Sequence, residues 1–119
     1  MFEKNMRIAY LLDFYIDALD EHSAGIMRAY YEDDLSLAEI AAGENISRQG
    51  IRHVIKKCEE QLEFLESRLG LARRYTELEN AVSVLENLSE KLSGSTDESL
   101  RDEAERLKSV ISIILNKGV

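Results

Sequence analysis

The chain has 119 residues and a formal net charge of −8, with 45% hydrophobic and 32% charged residues. This length allows one domain, or one small domain with an appendage, and argues against a multidomain enzyme. The absence of proline and tryptophan favours long helices, and the single cysteine excludes both an intramolecular disulfide framework and a cysteine-rich zinc site. We therefore expect an all-α protein.

No targeting signal is apparent at the amino terminus. No apolar run reaches the roughly 18–20 residues that span a bilayer, and MFEKNMRIAYLLDFY carries acidic and aromatic residues where a signal peptide is apolar. A lone cysteine suits a reducing compartment. These features predict a cytoplasmic protein that does not insert in a membrane.

The first two helices follow from apolar spacing and one cap. Apolar residues recur at helical intervals from about Glu3 to Leu19, and Asp20 is the predicted N-cap of a second helix that continues to about Tyr31. Three acidic residues, 32–34, then end that helix. We interpret them as a solvated turn, because no partner carboxylate or histidine stands at a metal-ligand spacing.

A helix-turn-helix pattern comes next. Ser36 opens the capping box Ser-Leu-Ala-Glu of a short helix that ends at residues 42–43, and Ser47 is the predicted N-cap of the following helix. Asn45 suits the left-handed residue of the turn. Glu44 occupies a position that is usually apolar in such motifs, so we expect a looser or reshaped turn. The predicted inner face consists of Leu37, Ile40, Ile46, Ile51 and Val54.

The charge is unevenly distributed along the chain. Residues 1–46 hold ten acidic and three basic residues, 47–57 hold four basic and no acidic, and 58–119 hold thirteen acidic and eight basic. Because binding to phosphate depends on local positive charge, any nucleic-acid surface should lie on the helix at 47–57; the alternative is a solvated basic face. The candidate nucleic-acid-binding residues are Arg48, Gln49, Arg52, His53, Lys56 and Lys57.

An apolar series in steps of four and three residues extends this helix from Ile51 to Ala72. Its phase slips near Gly70, which predicts either a bend or a stammer within one long helix. Gly50, inside the helix, costs about 1 kcal/mol relative to alanine unless a close approach requires it. The helix-turn-helix domain should therefore occupy residues 1–69.

The remaining segment, 70–119, is predicted to form an acidic helical hairpin. Its apolar series run over 75–92 and 100–114, and the loop between them contains a second capping-box pattern at 95–98. Two helices cannot bury this much apolar surface against each other, so it packs on the first domain or pairs with a second copy. We favour a homodimer, with an interface near Leu78, Val82, Leu85, Leu107, Ile111 and Ile114.

Catalytic and metal-binding patterns are missing from the sequence. There is no glycine-rich phosphate loop, and neither His22 nor His53 has a cysteine or paired acid at a ligand spacing. Cys58 lies on the apolar series, where a thiol is usually inert. We expect no enzymatic activity, no metal and no cofactor.

The segment SLAEIAAGENISRQGIRHVIKKCEEQL resembles the helix-turn-helix in the C-terminal region of RNA polymerase sigma factors, which reads the upstream promoter element. With DFYIDAL, AYYEDDLSLAEIA and SRQGI, the chain as far as Leu69 resembles the YlxM family of small bacterial helix-turn-helix proteins. This resemblance implies a sigma-like four-helix domain and a gene beside the signal recognition particle GTPase. It also implies a regulatory role in that targeting pathway, through the particle's protein or its RNA.

Two positions depart from the YlxM pattern and keep direct DNA binding open. Gly50 replaces the usual alanine, and the string at 52–54 is more sigma-like. We therefore expect a cytoplasmic regulatory or accessory protein that binds DNA or RNA. A dimeric DNA-binding transcription regulator is one alternative, and a protein-interaction module whose acidic hairpin binds a basic partner is another.

Overall fold

The computed structural model describes residues 4–116, without the side chains of 115 and 116, and this part of the chain is all-α as predicted. It forms two compact units, residues 1–73 (unit 1) and 74–119 (unit 2), so the division falls within a helix and beyond the expected boundary at Leu69. The helices are α1 (Met6–Tyr15), α2 (Glu21–Tyr31), α3 (Leu37–Glu44), α4 (Arg48–Leu69), α5 (Leu71–Ser93) and α6 (Glu98–Asn116).

Helix α4 is the centre of unit 1, because α1, α2 and α3 all pack against it. Ile51, Ile55, Cys58 and Leu62, the first four positions of the predicted apolar series, are buried in a core shared with α1 and α2. This part of the series is therefore covered within one chain. It requires no second copy.

In unit 1, side chains cap the amino-terminal turns of the helices. The Ser23 amide donates to Asp20 at 2.8 Å, and the capping box of α3 is complete, with the Glu39 amide donating to Ser36 Oγ at 3.1 Å. The predicted start of α1 at Glu3 lies outside the described residues, and α1 itself begins at Met6. It ends earlier than expected, at Tyr15, because the chain tightens there into a 3-10 turn, Ile16–Ala18.

The chain bends between α4 and α5, which decides between the two alternatives that the sequence left open. Gly70 has φ 61° and ψ 29°, the left-handed conformation, and its amide donates to the Glu66 carbonyl at 2.9 Å. Such a residue ends a helix, because an L side chain is strained in this conformation. The apolar phase slip thus marks two separate helices.

The carboxylate of Glu66 caps the first turn of α5. The amides of Ala72 and Arg73 each donate to it at 3.0 Å, and the Tyr15 hydroxyl donates to it at 2.6 Å while accepting from the Leu71 amide at 3.0 Å. Burial alone would raise the pKa of Glu66, but these hydrogen bonds outweigh it and hold the pKa below its ordinary value. Glu66 therefore joins the start of α5 to α1 and α4.

Helices α5 and α6 form the predicted hairpin. The Ser89 hydroxyl donates to the Ala104 carbonyl at 3.3 Å, and Lys108 Nζ lies 3.6 Å from Glu90 Oε1. Val82 and Ile111 are buried, so these two residues, expected at a dimer interface, are part of the hairpin's own core. The other expected interface residues are Leu85 and Leu107, which are partly buried, and Leu78 and Ile114, which are exposed.

The start of α6 differs from the predicted capping box at 95–98. Asp97, not Ser95, is the residue before the helix, and its carboxylate accepts from the Ser99 amide at 2.9 Å. The Ser95 hydroxyl instead accepts from the Asp97 amide at 3.1 Å, within the loop. Ser95 and Asp97, two residues apart, are both cap-forming residue types, and the aspartate occupies the N-cap position.

Candidate nucleic-acid interface

The turn between α3 and α4 is tight. Asn45 has φ 56° and ψ 40°, the predicted left-handed conformation, and its amide and that of Ile46 both donate to the Ala41 carbonyl. The prediction of a looser turn, based on Glu44, is therefore wrong. Glu44 is partly exposed, and its carboxylate lies 3.4 Å from His22 Nε2, so the turn accommodates a charged residue at this position.

Gly50 allows this turn to pack against the first turn of α4. A Cβ atom on residue 50 would lie 2.6 Å from Ile46 Cγ2 and 3.2 Å from Ser47 Oγ. The Ser47 hydroxyl also accepts from the Gly50 amide at 3.0 Å, which confirms the predicted N-cap. The close approach explains the glycine inside a helix, and together these contacts define where the basic helix begins.

The six candidate residues all lie on exposed positions of α4. At about 100° per residue, Arg48, Arg52 and Lys56 form a row along one flank of the helix. Gln49 and His53 point more directly away from the core. The exposed positions are Arg48, Gln49, Arg52, His53, Lys56 and Lys57.

Two shallow clefts lie beside this row, where α3 meets α4. The larger, of about 490 Å³, is lined by Leu37, Arg48, Gln49 and Arg52. The smaller, of about 210 Å³, is lined by Leu37, Arg52, Ile55, Lys56 and Glu59. A cleft with guanidinium and amide donors on one wall suits phosphate oxygens. Leu37, predicted only on the inner face of the motif, also lines both clefts.

The second half of α4 is acidic, but three of its carboxylates are engaged within unit 1. The hydrogen bond from Arg7 lowers the pKa of Glu63, and burial together with the bond to Glu59 raises the pKa of Tyr31. These are contacts between distant parts of the sequence. Glu59 accepts from Tyr31 at 2.5 Å, Glu63 from Arg7 at 2.8 and 2.9 Å, and Glu66 from Tyr15 at 2.6 Å.

The cations in the first half of α4 differ from these glutamates. Across residues 4–116, the charged groups of Arg48, Lys56 and Lys57 have no carboxylate within 4.0 Å. A charge without a direct ion pair keeps its field available to an external anion. The start of α4 is therefore a locally cationic surface on an acidic chain.

Neither a cluster of metal ligands nor a membrane-spanning helix is found among the described residues. In the part of the chain between 4 and 116, no three His, Cys, Asp or Glu side chains cluster closely enough to hold a metal ion. None of the helices in that part is both long and apolar enough to cross a bilayer.

Comparison with known proteins matches both units. Residues 2–106 match the UPF0122 family, the YlxM / p13-like helix-turn-helix proteins. The UPF0122 protein of Listeria welshimeri is 40% identical over 111 residues, which covers 92% of this chain and 99% of the relative. A relative from Clostridium botulinum is 41% identical over 99 residues, covering 82% and 91%, and one from Geobacillus kaustophilus is 41% identical over 93 residues, covering 78% and 82%.

Proposed function

We propose that this chain, which belongs to the UPF0122 family of YlxM / p13-like helix-turn-helix proteins, is a non-enzymatic regulatory protein that binds nucleic acid through α4. The observation that supports this most directly is the cationic surface at the start of α4, where Arg48, Lys56 and Lys57 have no carboxylate within 4.0 Å among the described residues. In helix-turn-helix proteins the second helix enters the major groove and its N-terminal residues contact base edges.

The exposed residues of α4 divide into two roles under this proposal. Arg48, Arg52 and Lys56, which flank the clefts beside α3, contact phosphate together with the exposed Lys57 and set the position of the helix. Gln49 and His53 point outward and are the candidates for base contacts, since an amide can bond adenine with two hydrogen bonds.

A role in the signal recognition particle pathway, in the cytoplasm, is the finer part of the proposal. It rests on the family resemblance and predicts binding to the particle's RNA or protein. A dimeric DNA-binding regulator is equally consistent with the helix-turn-helix. The two are separated by comparing the affinities for the particle's RNA and for duplex DNA of mixed sequence.

The test is a binding titration with labelled duplex DNA and with the particle's RNA, each over a series of salt concentrations. The variant carries Ala at Arg48, Lys56 and Lys57. The control carries Ala at Lys91, Arg101 and Arg106 of unit 2, so both lose three positive charges. For the unmodified protein, log affinity for DNA should fall linearly with log salt, by about 0.9 for each phosphate contact.

We expect the α4 variant to bind more weakly and to lose up to about three phosphate contacts from the salt slope, with the control close to the unmodified protein. Equal losses in both variants would mean that only net charge matters. An unchanged α4 variant would remove the site from α4 and favour a protein-interaction module.

A further inference from the structure

Unit 2 buries few large side chains. Within its described residues the buried positions are Val82, Ser89, Ala104 and Ile111, of which one is polar and one is small. Among the same residues, seven larger apolar side chains are exposed. Ile113, at 73%, lies about 180° around α6 from the buried Ala104 and so points away from α5. The other six are 37–59% exposed, and we call them the apolar face: Leu78, Val84, Leu88, Leu100, Val110 and Ile114. A two-helix hairpin with more apolar surface outside than inside is poorly stabilised by its own core.

The six residues of the apolar face lie on one side of the hairpin. At about 100° per residue, each of them is rotated about its helix axis in the same direction from the buried residue of that helix, Val82 on α5 or Ala104 on α6. Because the two helices are antiparallel and face each other, residues rotated in the same direction lie on the same side of the hairpin. The opposite side is polar, with Ser83, Asn87, Glu90, Glu105 and Ser109.

We infer that the apolar face binds the same face of a second copy, forming a four-helix bundle from two hairpins. The six side chains expose on the order of 500 Å² of apolar surface. A standard interface buries about 800 Å² per partner, and in homodimers about 65% of that is apolar, or about 500 Å². The face therefore has the area of a stable dimer interface.

A second copy is also the occupant of the right shape. Two antiparallel helices form half of a four-helix bundle, and the other half must be another antiparallel hairpin of similar length. α5 and α6 have 23 and 19 residues, and every copy of the chain supplies such a hairpin. Twofold pairing of identical faces is the commonest oligomeric symmetry. This inference does not depend on nucleic-acid binding.

The test compares neighbouring residues on the two sides of the hairpin. One variant carries Leu88→Asp and Val110→Asp on the apolar face, and the control carries Asn87→Asp and Ser109→Asp on the polar side. All four positions are exposed, so neither variant removes a core side chain. Sedimentation equilibrium of the full chain at micromolar concentration gives the mass, and circular dichroism gives the helicity.

We expect the unmodified protein and the control to have twice the chain mass of 13.6 kDa, and the apolar-face variant to have the mass of one chain. A monomeric unmodified protein would overturn the inference. So would a dimer that survives the apolar-face substitutions, or one that the control disrupts equally, because the contact would then lie elsewhere or depend on charge alone.

Discussion

Gly25 and Gly50 both lie inside helices, but their surroundings differ. Outside its chain neighbours and the backbone of its own helix, no described atom lies within 4 Å of the position that a Cβ would take on Gly25, whereas on Gly50 it would lie 2.6 Å from a methyl group of Ile46. That methyl belongs to a β-branched side chain, which has little rotamer freedom to move away. Substitutions at the two glycines therefore distinguish the effect of helix propensity on stability from the effect of packing in the helix-turn-helix.

We predict that Gly25→Ala raises the free energy of unfolding by about 0.5–1 kcal/mol through helix propensity. Gly50→Ala should give no such gain, because the shift forced on Ile46 cancels it. Urea denaturation measures both, and the pair Gly50→Ala with Ile46→Ala serves as the control, since the contact is then absent. Equal stabilisation by the two single substitutions would contradict the close packing.

At the level of elements, the start of α5 depends on Glu66, in the last turn of α4, rather than on a residue in the usual N-cap position. The folded state lowers the pKa of this carboxylate, so the folded chain holds its proton less tightly than the unfolded chain. The resulting stability is present above the unfolded pKa and is lost as the pH falls through the folded value. The loss should therefore begin below about pH 4.5.

We predict that Glu66→Gln lowers the free energy of unfolding by about 1 kcal/mol at neutral pH, because glutamine offers α5 only one acceptor oxygen and no charge. The difference in the free energy of unfolding between the variant and the unmodified protein should shrink as the pH falls and the Glu66 carboxylate of the unmodified protein becomes protonated. Denaturant unfolding at several pH values measures this. As a control, Glu60→Gln at an exposed position of the same helix should leave the dependence of the free energy of unfolding on pH almost unchanged. Parallel curves for Glu66→Gln and the unmodified protein would contradict the role assigned to Glu66.

How far the elements could be predicted depends on the range of the interactions that define them. The caps at Asp20, Ser36 and Ser47 and the left-handed Asn45 follow from contacts within a few residues. The cap of α5 is different: Glu66 lies six residues before Ala72, outside the usual N-cap position, and it also accepts a hydrogen bond from Tyr15, 51 residues away. Long-range pairs of this kind leave no periodic signal in one sequence.

The hairpin and the candidate site show the same limit. Apolar spacing placed Val82 and Leu88 on helices, but which of them faces the other helix depends on how the two helices are rotated. The exposed basic residues of α4 could be predicted because the apolar series defines the opposite side. Leu37 in the adjacent cleft comes from α3, so only the folded structure shows it beside them.

For the whole molecule, the strongly basic stretch of α4 belongs to a chain whose two units are both acidic. Unit 1 carries fourteen acidic and nine basic residues and unit 2 carries nine and six, so each is acidic on average. Four of the bases in unit 1 lie within residues 47–57. The acidic remainder should therefore disfavour wrong orientations and direct the cationic start of α4 toward a phosphate backbone.

The burial of Cys58 gives the intact protein an internal reporter. It is the single cysteine of the chain, it lies in the core of unit 1, and burial raises the pKa of its thiol. A thiol reagent can therefore reach it only when that core opens, so its labelling rate measures the opening of unit 1.

We predict slow labelling of Cys58 in the native protein and a steep rise in rate across the urea range in which unit 1 unfolds. Helicity measured in parallel reports both units together. If helicity falls before the thiol becomes reactive, the hairpin unfolds on its own; coincident curves mean that the chain unfolds as one cooperative system. Rapid labelling without denaturant would contradict the packing of Cys58. The reference for a fully exposed thiol is the labelling rate of a small molecule such as reduced glutathione.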